Sequence, residues 1–264
     1  MSEEDPPPGN YDHSIVAVNQ LIWGEGFLSP GGAPAVRSIV DGLDLAGLTL
    51  LDIGCGTGGV DRVLAEEYGC RVIGFDIVPL LIEVGRGLIG EAGLADRVDL
   101  RLVEPGPLPL EDQSIDVVFG KDSWLLIADK PAFFGEVFRV LRPGGILAAS
   151  EWMGDGAPTS PEMDDYFALR GMRYALETAA AYDDFLARAG FTRISVTNSS
   201  NHYREGARRE LARMTGPLRQ AMIDLLGEDK QTHFVDQWRA MTRVLDLGEL
   251  RSGRLRAHKP ESDA

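Results

Sequence analysis

Residues 49–59 read T-L-L-D-I-G-C-G-T-G-G, and a second chemical signal follows at Asp76. A short run, apolar but for one threonine, ends at Asp52, and glycines then fall at 54, 56, 58 and 59. That pattern is a buried strand entering a tight turn. Glycine permits positive φ and lets a ligand come close to the main chain. A second apolar run, 72–75, stops at Asp76, 22 residues after Gly54. An acid at the tip of the next strand can accept hydrogen bonds from both ribose hydroxyls of an adenosine-bearing cofactor.

Gly54, Gly56 and Gly59 also satisfy the dinucleotide pattern G-x-G-x-x-G, so the glycines alone leave the cofactor open. Asp52 separates the alternatives. Next to a pyrophosphate it would be a second negative charge. Next to the sulfonium and ammonium of S-adenosylmethionine it is favourable. S-adenosylmethionine is the expected cofactor, with Asp52, Gly54, Gly56 and Asp76 as its ligands.

The 264 residues suffice for one α/β domain with a cap, and 44% apolar content allows a sizeable core. A formal charge of −15 repels phosphate backbones, which argues against nucleic acid but does not exclude a phosphorylated small substrate held by a local basic pocket. Cys55 and Cys70 show no metal spacing, and neither do His13, His202, His233 and His258, so no metal is expected. The acidic, proline-rich start lacks the features of a signal peptide, and no apolar run approaches the length needed to cross a bilayer. A soluble cytoplasmic protein is expected.

Certain elements must position these groups. Residues 1–10 read as a disordered tail, and 11–47 as a helical N-terminal cap. Strands at 48–53, 71–76, 98–103, 115–119 and 145–150 alternate with helices at 58–68, 79–89 and 130–141, the pattern of a doubly wound sheet. The R-P-G-G at 142–145 reads as a turn that ends a helix and starts a strand. Residues 154–176 and 203–247 read as helical insertions, and strands at 192–198 and 251–258 as an antiparallel edge hairpin. The basic stretch 204–213 reads as a solvated helix with internal ion pairs. The expected fold is Rossmann-like α/β: a seven-stranded sheet with an antiparallel last strand, and a lid of cap and insertions over the strands' carboxyl ends.

The order D-I-G-C-G-T-G-G, G-F-D-I, I-D-V-V-F-G-K-D, L-R-P-G-G resembles class I S-adenosylmethionine-dependent methyltransferases. The stretch Y-D-H-S-I-V-A-V-N-Q-L-I-W-G-E-G-F-L-S-P-G-G at 11–32 and the late D-Q-W-R are similar to phosphoethanolamine N-methyltransferases. That resemblance implies methyl transfer to a small amine. It implies cofactor contacts at Ser29, Gly54, Asp76, Ile77, Glu104, the adjoining Pro105, and Lys121. It puts Tyr11 in a catalytic tyrosine–histidine pair and turns Asp122 toward the substrate amine. The departures are specific. The histidine of that pair falls on Leu126. Of the phosphate-holding residues only Tyr174 is kept; the others fall on Trp152, Ala168, Met172 and Met241, with Arg170 and Arg173 flanking Met172. A thioether acceptor needs no deprotonation, so S-methylation is a rival to N-methylation, and a non-catalytic cofactor-binding protein is a third reading.

Several residues carry two readings. Asp122 is an acceptor-facing acid or the cap of the following turn. Trp124 shapes the acceptor pocket by cation–π contact or packs in the core. Trp152 ends a strand at the rim, with a substrate role or a packing role. Glu104 sits near the adenine or in a solvated loop.

Overall fold

The computed structural model describes residues 11–261; the expected tail at 1–10 lies outside them. Chain order is α1 (His13–Trp23), α2 (Gly32–Ile39), β1 (Thr49–Ile53), α3 (Gly59–Tyr68), β2 (Arg71–Asp76), α4 (Pro79–Glu91), β3 (Val98–Leu102) and β4 (Ile115–Lys121). Then come α5 (Lys130–Val140), β5 (Leu141–Met153), α6 (Pro161–Arg170), α7 (Ala179–Ala189), β6 (Thr192–Asn198), α8 (Ser200–Thr215), α9 (Arg219–Leu226), α10 (Glu228–Leu247) and β7 (Arg251–His258).

The strands form one seven-stranded sheet in the order β3-β2-β1-β4-β5-β7-β6. β7 runs antiparallel to both β5 and β6, and the other pairings are parallel. The fold is the expected one. β1 and β4 are near-continuous apolar runs because helices cover both their faces. Val36, Leu64, Ile82 and Leu100 fill one side of the sheet, and Phe134, Val137, Tyr182 and Leu186 the other. A third cluster joins the added helices: Val18 and Ile22 of α1, Tyr166 of α6, Tyr203 of α8, and Trp238 and Met241 of α10.

One boundary differs from expectation. α5 passes directly into β5, which starts at Leu141, and 142–145 is looped out where the β4–β5 register shifts. R-P-G-G is thus an irregularity inside a strand, made possible by Gly144 at φ 77°. The strand order reverses between β1 and β4, so the segments leaving these neighbours diverge and open a crevice at their carboxyl ends.

Candidate active site

The crevice is built from the glycine loop. Gly54 and Gly56 take φ of 86° and 57°, and Gly58 at 79° starts α3. A Cβ on Gly54 would lie 2.5 Å from Ser123 Oγ, so this position demands glycine on steric grounds as well as conformational ones. Asp76 anchors the loop from the tip of β2: Oδ2 accepts from Gly56 N at 2.9 Å and Oδ1 from Val78 N at 2.9 Å.

Asp52 is buried at 1% exposure, and neither carboxylate oxygen has a hydrogen-bond partner among the described residues. Burial, with Asp61 and Asp76 nearby, pushes its carboxyl well above the usual range, while Lys121 pulls it down. Asp61, in the first turn of α3, is buried and unpartnered too, and burial lifts it to about 7. Two orphaned carboxyls beneath a glycine cradle fit a cationic ligand, as S-adenosylmethionine is, and would oppose a pyrophosphate.

The loop that follows α1 closes against this cradle. Gly26 O accepts from Gly59 N at 3.1 Å and from Thr57 Oγ1 at 2.9 Å. Lys121, at the end of β4, spends its three donors on Ser29 Oγ (2.5 Å), Pro30 O (2.8 Å) and Asp122 Oδ2 (2.9 Å). Ser29 and Lys121 therefore touch each other, and Lys121 clasps the loop to the acid beside it. Ile77 packs in one cluster with Tyr11, Leu28 and Val16, so the segment around α1 reaches the residue next to Asp76. Burial raises the Tyr11 phenol above its ordinary range, with Arg170, Asp76 and Tyr174 in its electrostatic surroundings.

Asp122 has φ 57°, unusual for a residue with a side chain. Its side chain is 1% exposed, one oxygen on Lys121 and the other 3.4 Å from Ser150 Oγ. Next door, Glu151 is fully buried and accepts from Leu125 N at 3.0 Å and Trp152 N at 2.8 Å. Burial and the charge of Asp122 push it to about 8. Glu151 thus braces the turn that follows Asp122.

The aromatic positions divide. Trp124 turns away from the acid into the sheet core: it is 1% exposed, donates Nε1–H to Ile53 O at 3.2 Å, and packs edge-on against Phe133 and Phe134. The structure gives it the packing reading. Trp152 and Tyr174 lie in the helical cluster, Trp152 edge-on to Tyr203 and Tyr174 against Phe167. Glu104 and Pro105 are exposed and line a small cleft after β3, which Val103 N ties to Asp76 O at 3.0 Å. His13 and Leu126 are exposed.

Two buried acids escaped the reading of residue types. Asp61 follows the glycines in the first turn of α3. Glu210, in the stretch read as a solvated helix, is buried near Trp23, Gly31 and Lys121 and lifted to about 7. Of its neighbours, Arg209 makes an exposed internal pair with Glu205 as expected, whereas Arg208 pairs with Asp246 of α10 and Arg204 and Arg213 donate to Leu245 O and Ile22 O, so the stretch docks onto other helices.

A glycine cradle after β1, an acid at the tip of β2 and this strand order define a class I S-adenosylmethionine-dependent methyltransferase fold. Residues 51–149 match the methyltransferase domain family. Phosphoethanolamine N-methyltransferase 1 of Arabidopsis thaliana is 31% identical over 83% of this chain and 44% of its own length. Phosphoethanolamine N-methyltransferase 1 of Triticum aestivum is 32% identical over 92% of this chain and 48% of its own. Haemonchus contortus phosphoethanolamine N-methyltransferase 2, solved with S-adenosyl-L-methionine, superposes with a TM-score of 0.83 at 25% identity, over 93% of this chain and 57% of that one. The chain spans about half the length of the curated relatives it matches. It carries a class I S-adenosylmethionine-dependent methyltransferase domain and resembles the phosphoethanolamine N-methyltransferases.

Proposed function

We propose that this chain moves a methyl group to the nitrogen of a small amine, in line with the carbon–sulfur bond of S-adenosylmethionine. When bound, that cofactor supplies an electrophilic methyl on a sulfonium. The glycine loop and Asp76 hold its adenosine, Asp52 faces its cationic end, and Ser29, Ile77, Glu104, Pro105 and Lys121 complete its surroundings. Holding donor and acceptor in line supplies ~7–11 kcal/mol of such a barrier.

The observation that carries the reading is Asp122. It is an acid fixed by Lys121 and Ser150 in a left-handed backbone at the end of β4, one strand from the glycine loop. Backbone strain of this kind gathers at functional sites. A free alkylamine with a lysine-like pKa of ~10.4 costs ~4.6 kcal/mol to deprotonate at pH 7. Asp122 binds the ammonium and Tyr11 steers it, with Trp152 and Tyr174 in the wall of a lid formed by the cap and the two insertions. Leu126, 43% exposed where the resemblance places a histidine, favours one rival, a thioether acceptor that needs no proton removed.

The test is S-adenosylhomocysteine release with mass detection of product, against primary and secondary amines and methionine. Methylated amine supports the reading, and turnover on methionine alone replaces it with S-methylation. Tight cofactor binding without turnover on any acceptor favours a non-catalytic role. Asp122→Asn should cut turnover at least a hundredfold while leaving S-adenosylhomocysteine affinity within threefold; wild-type kinetics would remove Asp122 from acceptor binding.

A further inference from the structure

Strand alternation gathers a cationic face on the edge hairpin. Ile194 and Val196 of β6 turn into the core on the side that α7 packs against, which leaves Arg193, Ser195 and Thr197 on the other. Ser195 stands opposite Arg256 and Thr197 opposite Arg254, so β7 adds Arg254, Arg256 and His258 to the same face. Ser38 of α2 and Asp41 just after it close the other side, and these residues line a cleft of about 410 Å³. The β6–β7 register shifts between Thr192 and Ser195, and Arg193 takes φ 49° there. A bulge of this kind re-aims a side chain, at a cost in backbone strain.

The arginines of this face have only neutral partners. Arg254 donates to Ser38 Oγ, and Arg256 to Ile39 O and, at 3.1 Å, to Asp41 O. Among the described residues none of the three forms an ion pair, whereas Arg37 holds Glu67 and Arg243 holds Glu162, each at 2.6 Å. With 41 acids to 26 basic residues, a neighbour met by chance on this surface is more often an acid, so three unpaired arginines side by side need a reason. Arg256 has a structural one, at the carboxyl end of α2. Exposed Arg193 has none. The cations also crowd one another: burial, with Arg193 and Arg256 close by, lowers His258 below its ordinary range, and burial and Arg254 lower Arg256 against the pull of Asp41. An arriving anion relieves that repulsion.

We propose that this cleft binds a phosphate monoester, at a site separate from the methyl-transfer crevice. The crevice opens at the carboxyl ends of β1 and β4, and the hairpin lies beyond β5 on the flank of the sheet. Three guanidiniums against the carboxylate of Asp41 leave an excess of two positive charges in the lining. A phosphomonoester carries about −1.5 to −2 at pH 7 and concentrates it on one group. A lone carboxylate would leave one cation unanswered, and a dicarboxylate would spread its charge over two separated ends. Arg254 and Arg256 spend one and two of their five N–H donors on α2 and the residues after it, which leaves forks for the phosphate oxygens. The hydroxyls of Ser195 and Thr197 stand opposite those arginines as further donors.

The experiment titrates the S-adenosylhomocysteine-bound protein calorimetrically with glycerol 3-phosphate, inorganic phosphate, succinate and acetate at fixed ionic strength. The two phosphates should bind saturably, at least tenfold tighter than succinate or acetate. Arg193→Gln should weaken them at least tenfold, and so should Ser195→Asp, which sets a carboxylate opposite Arg256. Both positions are exposed, and affinity for S-adenosylhomocysteine should be unchanged in both variants. Sedimentation with phosphatidic acid vesicles, against phosphatidylcholine vesicles, reads the source of the phosphate. Capture that both variants lose assigns a lipid-borne monoester, and binding of the soluble ester alone assigns a free one; either supports the site. Phosphate binding that both variants retain lies elsewhere and overturns it. Succinate binding as tightly as phosphate overturns the ligand class. Absence of binding to the soluble phosphates and the vesicles alike overturns the proposal.

Discussion

Asp76 and Trp124 show what a residue type reveals alone and what it conceals. Asp76 stands out in the sequence as an acid at a strand tip after a glycine loop, and in the structure one of its oxygens accepts from the glycine loop at Gly56 N and the other from Val78 N in its own following turn. Asp76→Ala should weaken S-adenosylhomocysteine binding by ~1.5–3 kcal/mol, the worth of a hydrogen bond to a charged group; unchanged calorimetric affinity would take Asp76 out of the ribose site. Trp124 stands two residues from Asp122 and looks like an acceptor-pocket aromatic. The left-handed backbone at Asp122 turns the chain so that the indole folds back over the strand. The signal was Gly120, where a Cβ would lie 2.3 Å from the indole, since a glycine inside a strand often marks a close approach. Trp124→Ala should cost ~3–5 kcal/mol of stability as a core cavity and leave acceptor selectivity alone. A shifted substrate preference in a fully folded variant would return it to the pocket.

At the scale of elements, apolar runs and glycines placed the strands well, because parallel strands buried on both faces leave a continuous signature. The clasp between the 24–32 loop and the glycine loop had no such signature. It depends on two glycines far apart in sequence meeting backbone to backbone. A Cβ on Gly59 would lie 2.5 Å from the carbonyl carbon of Gly26 and 2.6 Å from its oxygen, and neither atom can swing aside. Gly59→Ala should therefore push the loop away and lower cofactor affinity about tenfold, with ~1–3 kcal/mol lost in stability. Gly87→Ala in α4 meets nothing within 4 Å and should be neutral or stabilising by up to ~1 kcal/mol. Equal behaviour of the two variants would show that the clasp does not matter.

Across the whole molecule, the net charge of −15 conceals carboxyls that are not readily charged. Asp61 and Glu210 are lifted to about 7, Glu151 to about 8, and Asp52 well above the usual range. Burial is their first cause, and burial is a tertiary property, which is why residue types and spacing did not mark Asp61 and Glu210. In the unfolded chain such groups release their protons near pH 4. Between there and pH 7–8 the folded state binds more protons than the unfolded one, so stability falls as pH rises, by ~1.4 kcal/mol per pH unit for each proton fully retained. Without cofactor, the melting temperature should decline from pH 5 to pH 8. Asp61→Asn should flatten the decline by about one proton's share, and a melting temperature that rises over this range would refute the assignment.

The chain has four lysines, and three of them tie distant segments to one another. Lys121 reaches Pro30 O, Lys130 reaches Ile127 O and Ala175 O, and Lys259 reaches Phe138 O and Leu141 O. Lys230, with its side chain 62% exposed and, among the described residues, a single 3.6 Å contact to Asp12, is the most open of the four. To an amine-reactive label the folded chain thus presents one fast lysine and three slow ones. Modification of Lys121 in particular requires the loop over the cofactor crevice to lift, so its rate of labelling clocks the opening of that crevice, and bound cofactor should slow the clock.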